Sequence, residues 1–464
     1  MALGKKKGVQ SEVWVPSHQI AQSPGHPFYQ RLNRLLADAR FDPFVEELCR
    51  PYYADCGRPS IPPGIYFRML MVGYFEGIDS QRGIAWRCSD SLSLREFLGF
   101  GPSGDTPDHS SLTVIRRRLP LEIHERVFVF VLSLAKKKRL FKGTTIAVDS
   151  TMLEANAAMK AIVRKESGEE WSEYLKRLAA AAGIENPTQE EARRYDRGRK
   201  GKKVSNQDWE SPSDPDSRIA RMKDGRTRLA YKAEHAVDLE SDLVVAAVIH
   251  HANQKDHETM ADTVAAAQVY TEDAGAPEAV KEVVADKGYH TGQGLKEFAA
   301  AGLRTYVPEP RPSGGRRRWT DKPRAVKQAV LKNRRRVRSE RGKRLSRQRS
   351  EKAERSFAHI CETGGARRTW IRGLIEVTKR YLMQVVGYNL GILMRRMFGV
   401  GTPRSLQGLP ALALSYLLLL WSCLRHHILI LGFESDLTDA DELLPTRGSA
   451  PYWAIPSLQS STGC

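Results

Sequence analysis

Thr144-Thr145-Ile146-Ala147-Val148-Asp149 is the stretch on which the fold turns. It is a short apolar run rich in β-branched residues that ends on a carboxylate, the pattern of a buried strand. A second run of this kind, Val280 to Ala285, ends at Asp286. Between them, Arg228 to Leu239 and Leu243 to His251 read as two strands joined by a turn at Glu240-Ser241-Asp242, and Glu258 to Tyr270 as a helix. Beyond Asp286, Gly292 to Ala301 reads as a helix and Thr305 to Val307 as a short strand. A helix from about Glu351 to Glu362 is stopped by Gly364-Gly365. The order β-β-β-α-β-α-β-α predicts an α+β, mixed α/β domain over residues 143–398. Residues 156–225 are polar, with nearly balanced charge, and read as a helical and loop insertion in it.

Upstream the period is helical. Phe28, Leu32, Leu35 and Leu36 form one apolar stripe, and Pro62-Pro63 opens a second through Ile65, Met69 and Val72. Asp108 or Ser110 can cap a helix that runs through Leu112 and Ile115 to Arg116, Arg117 and Arg118. A longer apolar helix follows, from Leu121 to Leu134. Residues 25–140 therefore read as a helical domain ending on basic residues, a plausible DNA-binding module. Residues 1–24 read as a flexible N-terminus and 399–464 as an apolar, atypical tail. No internal repeat is visible.

The 464 residues carry 73 Lys and Arg against 54 Asp and Glu, a formal net charge of +19. Such a balance points to a polyanionic partner, nucleic acid before membrane surface. The charge is concentrated: residues 311–349 hold 17 Lys and Arg against Asp321 and Glu340. A free tail of this density repels itself, and a DNA backbone relieves the repulsion. Arg334, Arg335, Arg336 and Arg338 are the expected phosphate contacts, with Arg355 a further expected DNA contact, and Trp319, beside Arg316 to Arg318, a candidate for stacking on bases. Trp209 and Trp370 also lie near basic residues, with core packing as the default reading. Leu409 to Leu424 is apolar for sixteen residues and contains Pro410. A spanning helix needs roughly 20, so the stretch reads as a buried helix. Six scattered cysteines without a C-x-x-C pair imply neither a zinc ribbon nor a disulfide framework. No apolar run follows the basic residues at 1–10, so no secretory signal is expected, and the reducing cytoplasm, close to the nucleoid, is the expected compartment.

Neighbouring strands lie about 4.8 Å apart, so two carboxylates at adjacent strand ends can share divalent cations. A third acid from a nearby helix, Glu354, would complete an oxygen cage suited to Mg²⁺, with Mn²⁺ a possible substitute. Strand-end aspartates are also ordinary turn formers, and spacing alone leaves the two readings open.

The local words favour the first. Ala285-Asp286-Lys287-Gly288-Tyr289-His290-Thr291-Gly292 closely resembles the second-aspartate motif of bacterial insertion-sequence transposases with a DDE active site. Val148-Asp149-Ser150-Thr151 resembles their first motif and Glu354-Arg355-Ser356-Phe357-Ala358 their third. Thr106-Pro107-Asp108-His109-Ser110-Ser111-Leu112, with the arginines at 116–118, looks like their N-terminal helical domain. Asp214 to Arg218 and Gly225-Arg226-Thr227 match the usual region before the second strand. The branch most resembled is that of insertion sequence eleven-eighty-two, over about residues 25–398. The resemblance implies an RNase H-like catalytic domain in which the first and fourth strands are adjacent. It further implies Asp149, Asp286 and Glu354 as catalytic metal ligands, cleavage of element ends, strand transfer into target DNA without a covalent enzyme–DNA intermediate, and a homodimer on double-stranded DNA. A metal-dependent nuclease of the same fold, or a catalytically silent DNA-binding derivative, are the alternatives.

Two other features need placing. His250, His251 and His257, with Asp256 or Glu258, could suggest a metal site, but adjacent strand residues point to opposite faces. Gly288, Gly292 and Gly294 lack dinucleotide-fingerprint spacing and read as turn formers. The sequence also departs from the wider superfamily, in which a lysine often follows the glutamate by seven residues, and a tyrosine and an arginine precede it by seven and four. Here those positions hold Cys361, Arg347 and Ser350. Arg367 and Arg368, just past the helix stop, are the expected substitutes for the missing cation.

Overall fold

The computed structural model describes residues 25–57, 60–101, 104–200, 204–276, 280–310 and 322–406. Residues 25–406 belong to one compact unit. Trp319 and the apolar stretch 409–424 lie outside the described residues.

Seven helices come first: α1 (Pro27–Asp38), α2 (Phe41–Cys49), α3 (Pro63–Glu76), α4 (Gln81–Asp90), α5 (Leu92–Leu98), α6 (His109–Arg118) and α7 (Leu121–Lys137). The stripe of Phe28, Leu32, Leu35 and Leu36 is buried. α3 is apolar all round and is buried almost throughout, the place such a helix must take. Asp108, rather than Ser110, caps α6: its carboxylate accepts the Ser110 N–H.

The strands are β1 (Thr145–Glu154), β2 (Val163–Arg164), β3 (Trp209–Glu210), β4 (Arg218–Arg221), β5 (Thr227–Asp238), β6 (Val244–His251), β7 (Glu282–Ala285) and β8 (Arg304–Tyr306). α8 (Trp171–Ala181) and α9 (Gln189–Gly198) lie between β2 and β3, α10 (Asp256–Asp273) between β6 and β7, and α11 (Gly292–Ala300) between β7 and β8. α12 (Arg324–Arg338), α13 (Glu340–Phe357) and α14 (Leu374–Phe398) follow. β1 is central, antiparallel to β5 on one side and parallel to β7 on the other, with β8 parallel to β7. β4 and β6 share the far edge of β5. In order of chain, the main strands β6-β5-β1-β7-β8 run 3-2-1-4-5, the arrangement of an RNase H-like domain.

β1 runs five residues beyond Asp149, so this aspartate sits in mid-strand rather than at the strand end read from the sequence. The extension is held by β5, whose register with β1 continues to Glu154–Ala230. Of residues 156–225, read as an insertion, Arg218–Arg221 instead form β4 and pair with β5 in the main sheet, while the residues before them stand outside it. The core of this outer part is aromatic: Trp209 packs edge-on against Trp171 and Tyr174 and is buried. α13 starts eleven residues earlier than Glu351, because Ser339 caps it at the Gly342 N–H. It passes into one π-helical turn, Ala358–Thr363, and the chain reverses at Gly365, whose φ of +74° favours glycine.

The helical region and the sheet do not separate cleanly. α14 runs buried between them, and its Asn389 side chain pairs with both backbone groups of Val244 in β6. Residues 399–406 belong to this body too, since Arg404 donates to the carbonyl of Glu76. Tail residues therefore begin no earlier than 407, not at 399.

Two buried histidines fasten this core in the neutral state. His124 Nδ1 faces the Pro120 carbonyl and its Nε2 the Tyr66 hydroxyl, each at 3.1 Å, so Nδ1 donates and Nε2 accepts. His235 lies stacked on Phe357, between the Ser356 hydroxyl at 2.9 Å and the Tyr381 hydroxyl at 2.8 Å. Burial pushes His124 down to about 4 and His235 down to about 3, from an ordinary 6.5. Between those values and 6.5 only the unfolded chain takes up the proton, so stability is full above 6.5 and is lost as pH falls. At pH 5 each histidine should cost about 2 kcal/mol. Urea unfolding at pH 7.5 and 5.0 should show the midpoint falling on acidification. His124→Gln should shrink that fall; an undiminished fall would exclude His124 as a contributor.

Candidate active site

The parallel register Val148–Ala285 sets Asp149, within β1, beside Asp286, the residue directly after β7. Asp149 is four-fifths covered, and its carboxylate accepts from the Ser150 N–H at 2.9 Å and from Arg349 Nη1, on α13, at 3.1 Å. Burial raises its pKa, Arg349 and the Ser150 N–H oppose that, and the Asp286 carboxylate adds to the rise. Like charges are thus gathered with one guanidinium between Asp149 and the helix above. Asp286 turns its carboxylate to the Gly288 N–H, which starts a short 3₁₀ turn. A Cβ at Gly288 would meet Asp286 Oδ1 at 3.0 Å and Asp256 Oδ2 at 2.7 Å, so glycine keeps that approach open.

Glu354 is exposed, and among the described residues its carboxylate has no ion pair or hydrogen bond. Its direction follows from the helix. Lys352 Nζ reaches the Leu239 carbonyl and Asp242, each at 2.6 Å, at the start of β1. Residues two apart on a helix diverge by about 200°, so Glu354 leaves on a different flank from Lys352. Among the described residues no three His, Cys, Asp or Glu stand close enough together to hold one ion. Asp149 and Asp286 are a pair; the cage with Glu354 is not closed. The donor set, carboxylate oxygens with a cation already drawn to Asp149, nevertheless fits a hard divalent ion.

The other face of β1 carries a buried network that the sequence did not announce. Ser150 Oγ donates to Asp256 at 3.1 Å, and Lys232, fully buried, pairs with Asp256 at 2.8 Å and with Glu234 at 3.6 Å. Glu234 also accepts from Thr259, Thr263 and Tyr289, so α10 and the Asp286 turn are tied to the sheet behind the aspartates. The histidines form no metal group: His250 faces Thr263 and His251 the Asp216 carbonyl.

Several cations expected to meet DNA are engaged internally. Arg116 is buried against Glu376 at 2.7 Å, because its position on α6 turns inward to α14. Arg334 forms a two-pronged pair with Glu309, and Arg336 donates to the backbone and hydroxyl of Thr305. Arg355 pairs with Glu351 and Asp242, and Arg118 lies over the Tyr53 ring. Arg117, Arg335 and Arg338 are exposed and have no partner among the described residues.

Cys361 is buried, and burial pushes its thiol up to about 11, so it offers no charge. Arg367 comes back to the site: Nη1 donates to Thr151 Oγ1 at 3.0 Å, on the same face of β1 as Asp149 and two residues on. Its other side holds Glu362 at 2.7 Å. Arg368 turns away, to Glu154 at 3.8 Å and the Trp370 ring. Lys223, in the turn between β4 and β5, is a cation the sequence reading missed; its charge is felt at both Asp149 and Cys361. Only the tertiary return of that turn to β1 reveals it.

A six-stranded sheet of this order, with paired aspartates on its central parallel strands, defines the RNase H-like class. The sequence matches the Transposase domain (DUF772) over residues 17–118 and the Transposase DDE domain over residues 141–390, more than half of the chain. The chain belongs to the DDE transposase family. No curated protein and no solved structure matches it.

The geometry separates the two substitutes for the missing lysine. Arg367→Ala should lower strand transfer by an order of magnitude or more, about 1.4 kcal/mol of transition-state stabilisation. Cys361→Ala and Arg368→Ala should each stay within a few-fold of the parent. A damaging Cys361→Ala beside a silent Arg367→Ala would refute the assignment.

Proposed function

We propose that this transposase cuts the ends of an insertion sequence and joins them to target DNA by metal-dependent phosphoryl transfer at Asp149, Asp286 and Glu354. The observation that supports the reading is the β1–β7 register, in which Asp149 and Asp286 directly follow the paired residues Val148 and Ala285. Asp149 and Asp286 would hold Mg²⁺, or Mn²⁺ in its place, with Glu354 closing on them from α13. When bound, such ions activate the attacking oxygen and stabilise the charge on the leaving one.

The chain's own groups do the rest. In the first step a water oxygen bonds to phosphorus as the P–O3′ bond breaks, which leaves a 3′-hydroxyl on the element and a 5′-phosphate on the flank. In the second that hydroxyl attacks a target phosphodiester and the target's own 3′-oxygen leaves. Arg367 and Lys223 face the anionic phosphate from the β1 side. Exposed Arg335 and Arg338 contact the DNA backbone, which contributes affinity without sequence preference. Two copies of the chain, one for each end, would make the joining reaction concerted. Among the described residues no helix is long and apolar enough to cross a membrane.

The test uses purified protein, labelled element ends, Mg²⁺ and a target plasmid. Strand-transfer product is expected; cleavage alone would favour a nuclease, and a gel shift alone a silent DNA-binding protein. Asp149→Ala, Asp286→Ala and Glu354→Ala should each abolish cleavage and leave end binding nearly intact. Normal cleavage by Glu354→Ala would mean that another acid, Glu351 or Glu362, completes the site.

A further inference from the structure

Apart from the carboxylates, the described residues enclose a cleft of about 680 Å³ where α4 and α6 meet the end of β1 and the start of α14. Its charge is unbalanced. Arg82, Arg116, Arg117, Arg372 and Arg380 line it against two acids, Asp79 and Glu376. Both acids are already engaged: Glu376 by Arg116 at 2.7 Å and Lys379 at 2.6 Å, Asp79 by the Trp370 indole N–H at 2.6 Å. Arg380 is left over. Its Nη2 is buried and makes no hydrogen bond. Burial, with repulsion from Arg116, pushes its pKa down to about 10 although Asp79 pulls it up, so it remains charged at neutral pH.

A buried guanidinium N–H₂ with no acceptor is costly, because it gives up hydration and gains no hydrogen bond, although the Asp79 charge lies near. Around it stand further donors with capacity to spare. Arg117 is exposed and unpartnered among the described residues, and Arg372 donates only its Nε, to the Asn156 carbonyl at 3.2 Å. Arg82 faces His109 at 3.3 Å. Three guanidiniums converging from α6, α14 and the loop before it match the forked oxygens of a phosphodiester.

The cleft also has a fixed relation to the aspartates. Asn156 lies seven residues beyond Asp149, and an extended chain of that length spans roughly 23 Å. The segment 367–369 runs alongside it, pairing with Glu154 through its backbone. Phosphates on one strand of a duplex advance about 3.4 Å each along the axis, so the cleft lies within about seven nucleotides of the reacting phosphate.

We infer that this cleft is an anion site that grips one backbone phosphate of duplex DNA through Arg380, Arg372 and Arg117, within that distance of the carboxylates. The inference rests on the reading of the chain as a DNA-cleaving transposase. It adds a second grip that fixes where along the duplex the cut falls.

The test uses the full chain and the double variant Arg372→Ala, Arg380→Gln. Inorganic pyrophosphate should raise the melting temperature of the parent and not that of the variant. A labelled duplex, followed by fluorescence anisotropy over a salt series, should bind the variant at least tenfold more weakly. The log–log salt slope should fall by about 0.9 for the phosphate lost. Should the double variant fail to fold, exposed Arg117→Ala should still lower the slope. Equal affinity and slope in parent and variant, or no effect of pyrophosphate on the parent, overturns the cleft as an anion site. If such a variant matches a parent that binds and cuts DNA, only the cleft assignment fails; a parent that binds no duplex overturns the transposase reading and the inference together.

Discussion

The parallel pairing of β1 with β7 is the constraint on which the remainder depends. Parallel neighbours cannot be joined by a hairpin; the chain must leave the sheet and cross back. Here the crossing uses β5, β6 and α10, and α10 is held to the sheet from behind by Glu234 through Thr259 and Thr263. The register has no freedom to slide, because a one-residue slip would exchange the faces of β1. Asp149 would then lie among Glu234, Lys232 and Asp256, and Ser150 would face α13. The buried ion network on one face and the Arg349 contact on the other therefore specify the same register from opposite sides.

α13 is fastened over the aspartates by a different device. Its sequence is strongly basic, so apolar burial alone cannot seat it; Leu345, Ala353 and Phe357 are its main buried carbons. Instead His235, facing Asp149 across the β1–β5 pair, bonds Ser356, and Arg341 reaches Glu282 at the start of β7. The helix is thus tied near its start to β7 and at its end to β5, the antiparallel neighbour of β1, with Arg349 reaching Asp149 between them. The same bonds explain how a segment with such an excess of charge folds at all. Arg334, Arg336, Arg341 and Arg349 meet carboxylates or carbonyls within the body, which leaves the exposed cations of α12 and α13 to be neutralised from outside.

The strand words at 144–149 and 280–286 were legible because their apolar runs are bounded by turn residues and end on an aspartate. The second aspartate does stand directly after its strand; the first lies inside a longer one, since the pairing partner Thr227–Asp238, not the local sequence, sets where β1 ends. α13 was underestimated for a related reason: Glu340 to Ser350 contains few apolar residues and offers no 3.6-residue stripe, yet a serine cap and its ion pairs make it helical. The inward turn of Arg116 was hidden because three consecutive arginines look equivalent until α14 supplies Glu376 for one of them. Lys223 and Asp256 join the neighbourhood only through tertiary contact, and no spacing rule reaches them.

Cys361 shows how the site accommodates a departure from the family pattern. Its position on the π-helical turn points inward, to Tyr381 and the covered side of α14, where a lysine would have to be buried without an anion. A small neutral thiol fits there. A cation stands past the turn: the backbone N–H of Arg367 bonds the Cys361 carbonyl, and its guanidinium then extends to Thr151 on the Asp149 face. Arg367 is thus held to Cys361 by a backbone bond, and Glu362 restrains its far side. A guanidinium so restrained loses less side-chain freedom on meeting a phosphate than a free lysine would, and it presents two parallel donors in place of a point charge. Arg367 therefore presents its guanidinium on the face of β1 that carries Asp149.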